Sequence, residues 1–319
     1  MKQLLIILSI GLFLNVSAQN NIYLADPTII CGDNTYYMYG TEKPPQKGFP
    51  VLQSEDLVNW QTAPRAKNGY ALKMGEQAFG TWGFWAPQIL KYNDKFYMLY
   101  TADENIAIAE SSQPAGPFTQ KEQVALKAST RQIDPFLFVD NDGKIYLYHV
   151  RLHEGNTIWV AEFKQDLSGI KEETLKQCIT ATEPWEDTPL FESAPIIEGP
   201  TVIKRDGIYY LFYSANHFQN IDYAVGYAVS DSPLGPWKKA DHSPIIDRHV
   251  IGRNGTGHGD LFQDKNGNWK YVFHVHYNDS VVAPRQTLIV DVKFQKDEKL
   301  GYEKVTIDKN KLYVPKSID

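Results

Sequence analysis

Ala25-Asp26-Pro27-Thr28-Ile29-Ile30 opens a pattern that the chain repeats, and this repeat decides the fold. Ala86-Pro87-Gln88-Ile89-Leu90, Asp134-Pro135-Phe136-Leu137-Phe138 and Gly199-Pro200-Thr201-Val202-Ile203 follow the same plan, and Gly259-Asp260-Leu261-Phe262 is a fifth copy without proline. Each copy runs into a polar turn and then a strand dense in aromatic residues: Tyr36 to Tyr39, Phe96 to Tyr100, Ile145 to Tyr148, Tyr209 to Tyr213, and Tyr271 to His274. The turns carry Asn-Asp, Asp-Gly or Asn-Gly pairs, such as Asn141-Asp142-Gly143, Asp206-Gly207 and Asn266-Gly267. Such pairs accept the positive φ angles that tight hairpins need. A third strand follows, and twice it ends in a Pro-x-Gly-Pro-aromatic loop, at Pro114 to Phe118 and Pro233 to Trp237.

Five copies of one three-part antiparallel unit predict an all-β chain folded as a single-domain, five-bladed β-propeller over residues 19–319. A β-sandwich would also use short alternating strands, but it gives no reason for five repeats of one unit. Helical periodicity is scarce, with Asp166 to Cys178 the one stretch that invites it.

Outward from the repeat, residues 1–18 read as a signal peptide. Lys2 is the positive end, Leu4 to Leu14 the apolar run, and Val16-Ser17-Ala18 the small-residue cleavage pattern. Eleven apolar residues fall short of the roughly 20 that span a bilayer. Export to the periplasm or the medium is expected, with no membrane anchor. The formal charge of −6 is spread along the chain, which argues against nucleic acid as a partner. The two cysteines, Cys31 and Cys178, are expected to be buried thiols and not a bridge. A monomer is expected.

In a propeller the innermost strand of each blade lines the axis, so the lead-in positions converge at its mouth. Those positions are Asp26, Ala86, Asp134, the Glu198-Gly199 pair and Gly259, and three of the five blades place a carboxylate there. Taken singly, Asp-Pro is an ordinary turn-favouring start to a strand. Three carboxylates in register suit glycoside hydrolysis, which needs one ionised base, one protonated acid and a neighbour that adjusts the acid.

These residues resemble glycoside hydrolase family 43 over nearly the whole chain after the leader. The marks are Ala25-Asp26-Pro27, Phe84-Trp85-Ala86-Pro87, Ile133-Asp134-Pro135-Phe136, Glu198-Gly199-Pro200, Tyr213-Ser214-Ala215-Asn216 and Gly257-His258-Gly259. The resemblance implies Asp26 as general base, Glu198 as general acid and Asp134 as the residue that tunes and orients the acid. It implies inversion at the anomeric carbon, with the two carboxyls roughly 6.5–9.5 Å apart. Arg285, Trp85, Phe84 and Asn216 would contact the sugar, with Trp82, His217 and Phe218 at its border. No cofactor is needed for the chemistry, and a structural Ca²⁺ near His258 is implied.

The expected substrate is a plant-type polysaccharide or its oligosaccharides. The expected action is exo-cleavage as an α-L-arabinofuranosidase or β-xylosidase. The lack of a second β-sandwich domain in this chain tilts the expectation toward arabinofuranose. Endo-acting arabinanase or xylanase action, β-1,3-galactanase action and a non-catalytic carbohydrate-binding propeller are the alternatives. The last predicts loss of an acid, yet all three are present. The loops 43–49, 61–80 and 242–255 are expected to close the pocket.

Overall fold

A computed structural model describes residues 20–32 and 34–319, so the expected signal peptide at 1–18 lies outside the described residues. Five blades, whose innermost strands pair antiparallel, surround one axis as the repeat predicts, with a small two-stranded sheet, Gly48–Pro50 with Tyr70–Lys73, beside them. Their innermost strands are Ala25–Gly32, Trp85–Tyr92, Gln132–Val139, Ile197–Arg205 and Gly257–Gln263. The aromatic strands pair next, at Thr35–Thr41, Lys95–Ala102, Ile145–Leu152, Ile208–Ala215 and Trp269–Val275. The ring closes where Lys316–Ser317 pairs with Asn20–Asn21 on one side and with Asn59–Thr62 of blade one on the other.

The aromatic strands are apolar on both faces because each face meets a different neighbour. Among the described residues there are five hydrophobic clusters, one in each seam between adjacent blades. Along Ile208–Ala215, Leu211 and Tyr213 pack toward blade three, whereas Tyr210 and Phe212 pack toward blade five. Side chains alternate across a strand, so a strand buried on both faces needs a continuous apolar run. The Tyr–Phe density of the repeat is therefore seam packing. The helical expectation for Asp166 to Cys178 reduces to one 3-10 turn, Glu172–Thr174, followed by the strand Lys176–Ile179. The α-helical turn at Arg248–Ile251 was not foreseen; the Asp247 side chain caps it by accepting from the amides of His249 and Val250.

Each innermost strand carries a β-bulge at the same place. The register shifts lie between Ala25 and Thr28, Trp85 and Gln88, Ile133 and Phe136, Glu198 and Thr201, and Gly257 and Gly259. The bulged residues are Asp26, Ala86, Asp134, Gly199 and His258, with φ of 47°, 46°, 53°, 61° and 37°. Bulges re-aim a side chain and positive φ costs energy for non-glycine residues, so the four sites other than Gly199 store strain around the axis. The proline that follows four of them loses no ladder bond, because the bulge leaves that position unpaired. In blade five the following residue is Gly259, where a Cβ would lie 1.7 Å from the Val272 carbonyl oxygen. A side chain there is excluded, which is why the fifth copy departs from the pattern. The axial residue of blade five is accordingly His258, one position before the expected Gly259.

Cys31 and Cys178 form no bridge, in line with the sequence, but Cys31 is exposed where burial was expected.

Candidate active site

The five bulges are tied together by a ladder of hydrogen bonds between blades. In four blades a residue near the end of the aromatic strand accepts the amide of the bulged residue in the next blade. Thr41 Oγ1 takes the Ala86 amide at 3.0 Å, and Thr101 Oγ1 takes that of Asp134 at 3.0 Å. Ser214 Oγ takes that of His258 at 2.8 Å, and His274 Nδ1 takes that of Asp26 at 3.2 Å, closing the ring. Blade three presents Val150 at this place, paired with Ile133. With no hydroxyl there, the Gly199 amide donates instead to Asp134 Oδ2 at 3.1 Å. A missing acceptor thus anchors a carboxylate. Gly199 itself must be glycine, because a Cβ would come within 2.8 Å of the His258 ring.

Above this ladder lies a pocket of about 740 Å³, lined by Asp26, Asp134, Glu198, His258 and Arg285 and walled by Trp82, Trp85 and Phe218. That volume falls in the roughly 300–1,000 Å³ range of small-molecule sites. The three carboxylates that the repeat aligned, drawn from blades one, three and four, therefore share one cavity. Each is less than a tenth exposed.

Their surroundings differ. Burial pushes the Asp26 carboxyl up, but Arg285, His258 and the Thr41 hydroxyl outweigh it and hold the group well below the usual carboxylate range. Arg285 Nη1 lies 3.1 Å from Asp26 Oδ1, and Thr41 Oγ1 donates to Oδ2 at 2.7 Å. His274, fully buried beside Arg285, is held neutral and serves through its bond to the Asp26 amide. Asp134 is raised, first by burial and then by Glu198 and Asp26, against the pull of His258. His258 Nδ1 sits 3.4 Å from Asp26 and 3.8 Å from Asp134; burial lowers its basicity, but the three carboxylates more than restore it. Glu198 meets only neutral donors. The Tyr223 hydroxyl donates to Oε1 at 2.7 Å and the Asn156 amide to Oε2 at 2.9 Å. Burial and the adjacent carboxylate raise Tyr223 well above its ordinary value, so its proton stays in place.

The aromatic residues divide. Trp82 is 49% exposed and meets Trp85 edge to face at 5.6 Å, and both line the pocket. His217, Phe218 and Gln219 form another wall, with Arg285 over the Phe218 ring at 4.8 Å and the Phe218 carbonyl bonded to His276. Phe84 is a correction. It is fully buried, stacks on Tyr100 at 5.9 Å and belongs to the core between blades one and two. Asn216 is another. It is buried, accepts from the Thr188 amide and donates to the carbonyls of Trp185 and Asp222, so it ties two loops together and does not line the pocket.

Of the expected closing loops, 43–49 contributes Lys43, Pro44 and Gln46, whereas 61–80 and 242–255 do not reach the pocket. Their place is taken by Val282 to Arg285. The sequence reading also missed Thr41, Tyr223, His274 and Asn156. Thr41 and His274 end their repeat copies at matching positions, which is a usable signal; Tyr223 and Asn156 carry none.

The donor set does not fit the implied calcium. His258 turns Nδ1 toward two carboxylates. The axial cavity beneath holds about 20 Å³, near the space of one water. Asp26, Asp134 and Asp260 border this cavity, and Asp260 already accepts from the hydroxyls of Thr28 and Thr201 and from the Leu261 amide. Calcium takes roughly six to eight oxygens. Among the described residues no group of three or more His, Cys, Asp or Glu is placed to hold a metal. The expectation of Ca²⁺ near His258 is withdrawn.

Known proteins agree with this geometry. An endo-1,4-β-xylanase of Bacteroides thetaiotaomicron superimposes with a TM-score of 0.85 at 41% identity, covering 95% of this chain and 100% of its own. A thermostable family-43 glycoside hydrolase superimposes with a TM-score of 0.79 at 32% identity, covering 90% and 93%. A β-D-galactofuranosidase of Aspergillus niger is 25% identical over 92% of this chain and 87% of its own length. The family model for glycosyl hydrolases family 43 matches residues 20–300. With fold, rim carboxylates and sequence in accord, the chain belongs to glycosyl hydrolase family 43 and is a glycoside hydrolase.

Proposed function

We propose that the protein is an exported, inverting hydrolase that releases a terminal xylose or arabinofuranose from plant-type glycans, with Asp26 as base and Glu198 as acid. The observation that carries this reading is the unequal treatment of two carboxylates in one pocket. Asp26 is kept ionised by Arg285 and His258, as a group must be to draw a proton from water. Glu198 has no cation bonded to it and is met by Tyr223 and Asn156, surroundings in which a carboxyl can carry a proton to the leaving oxygen.

In this mechanism the sugar sits between Asp26 and Glu198, with Trp85 and Trp82 covering its apolar face. Water attacks the anomeric carbon from the Asp26 side as the bond to the leaving oxygen breaks. Asp26 takes the proton from water while Glu198 delivers one to the departing alcohol. Asp134, which accepts from the Gly199 amide beside Glu198, shares the pocket's negative charge with the acid, so that the two carboxyls oppose each other's ionisation. The blade-rim walls from Lys43, Trp82, Phe218 and Arg285 support exo action. Endo-xylanase action is the second reading, supported by the similarity to the Bacteroides enzyme.

Aryl α-L-arabinofuranoside, β-D-xyloside and β-D-galactofuranoside substrates separate the sugars, and proton NMR of the first-formed sugar reports inversion or retention. Single sugars released from xylan or arabinan support exo action; mixed oligosaccharides support the second reading. Retention of configuration would contradict the roles given to Asp26 and Glu198.

A further inference from the structure

A second groove, of about 680 Å³, opens on blade three immediately beside the catalytic pocket. Asn156 lines both cavities, and its amide is the one bonded to Glu198 Oε2. The groove contains the half-buried indole of Trp159 with the Arg151 guanidinium laid over its ring, 5.1 Å from the centroid. Neighbouring groups fix both. Arg151 Nη2 donates to Ser129 Oγ at 2.7 Å, and Trp159 Nε1 donates to Thr157 Oγ1 at 2.9 Å. A guanidinium stacked on an indole, with the hydroxyls of Ser129, Thr130 and Thr157 beside them, offers a flat face for the C–H side of a sugar ring and polar groups for its edge.

The position of the groove gives it a direction. A general acid stands on the side where the leaving group departs, because it must protonate the leaving oxygen. Here that side is Glu198, and beyond Glu198 lies Asn156 and then the groove. Resting on the hydrolase reading above, we propose that the blade-three groove binds the leaving-group portion of an oligosaccharide or polysaccharide, with Trp159 and Arg151 as its platform. The natural substrate is then at least a trisaccharide that extends past Asn156, and a lone glycoside leaves this affinity unused.

The test compares Trp159→Ala with the unsubstituted protein on β-1,4-xylotetraose, α-1,5-arabinotetraose and the matching aryl glycosides. We expect kcat/KM on the cleaved tetraose to fall about tenfold more than on its aryl glycoside, equivalent to about 1.4 kcal/mol. Ser129→Trp, on an exposed position, fills the groove without removing a packed side chain and is expected to give the same selective loss. Equal losses on both substrate classes in both variants would overturn the groove. Failure of the unsubstituted protein to cleave any glycoside would instead sink the hydrolase reading. In that event, calorimetric titration of each tetraose decides the groove: about tenfold weaker binding in Trp159→Ala supports it, and equal or absent binding rejects it.

Discussion

The two sides of the catalytic pocket solve the same problem in opposite ways. Blades five and one meet Asp26 with a guanidinium, an imidazole and a hydroxyl, and its carboxyl is depressed despite complete burial. Blades three and four meet Glu198 with an amide and a phenol, neither of them charged. Asp260, lower on the same axis, shows what weaker partners leave behind: two threonine hydroxyls, one amide and the charge of His258 do not offset burial, and its carboxyl is pushed up to about 6. The comparison teaches that neither neutral hydrogen bonds nor His258 alone hold a buried carboxyl ionised here; Asp26 differs in having the Arg285 guanidinium 3.1 Å away.

Removing each carboxyl breaks the comparison most severely. Asp26→Asn should lower kcat on every substrate by at least the roughly 10²–10⁴-fold that general base catalysis contributes. Activated aryl glycosides should not rescue it, since water still lacks its base. Glu198→Gln should lose as much on natural glycosides, yet recover most activity on aryl glycosides whose leaving groups need no proton. Steady-state kinetics on both substrate types check the pair, and equal behaviour of the two variants would dissolve the distinction between base and acid.

Tyr223→Phe strips one donor from the Glu198 side. A hydrogen bond to a charged or proton-sharing group is worth about 1.5–3 kcal/mol, so kcat should fall roughly tenfold to a hundredfold, with KM little changed. Arg285→Ala removes the cation from the opposite side. Asp26 is then less acidic, and the acidic limb of the kcat/KM profile should move to higher pH by roughly 1 to 3 pH units. An unmoved limb in that variant would show that Arg285 does not hold the base ionised.

Asp260→Asn tests the weaker-partner case through stability. The folded carboxyl titrates near 6 against an ordinary 3.8, so its stabilising contribution is fully present below the lower value and is lost as pH rises through the upper one. The variant should therefore gain on the unsubstituted protein between pH 3.5 and pH 7.5, by at most about 3 kcal/mol, read from thermal unfolding. Val150→Thr is the mildest change. It restores the ladder hydroxyl missing from blade three, offers the Gly199 amide an alternative to Asp134, and should lower kcat about threefold with KM within about twofold.

Much of this site was legible beforehand because the repeat aligns it. Asp26 and Asp134 occupy the same bulge in different copies, and Glu198 stands one residue before it, so counting positions brought all three to one rim. Counting failed by one residue at His258, where Gly259 replaces the proline that marked the other copies. Adjacency to a motif misled twice. Phe84 stands next to Trp85 but turns into the seam between blades one and two, and Asn216 closes a strand only to bind loop backbone. Tyr223 and Asn156 hold the same place in their blades, two residues before the strand partners of Ser214 and Val150, but loops of unequal length before them hide the match in the sequence.

From sequence alone came the number of blades, the strand that faces the axis and the three carboxylates at its mouth, since each follows from a local pattern repeated five times. Which carboxyl is charged and which meets only neutral donors was decided by the tertiary structure. Asp26 owes its charge to Arg285, 259 residues away, and Glu198 receives its donors from positions 42 residues before and 25 after it. Acidity depends on the distance through space to cations and donors, and closing the ring of blades sets those distances.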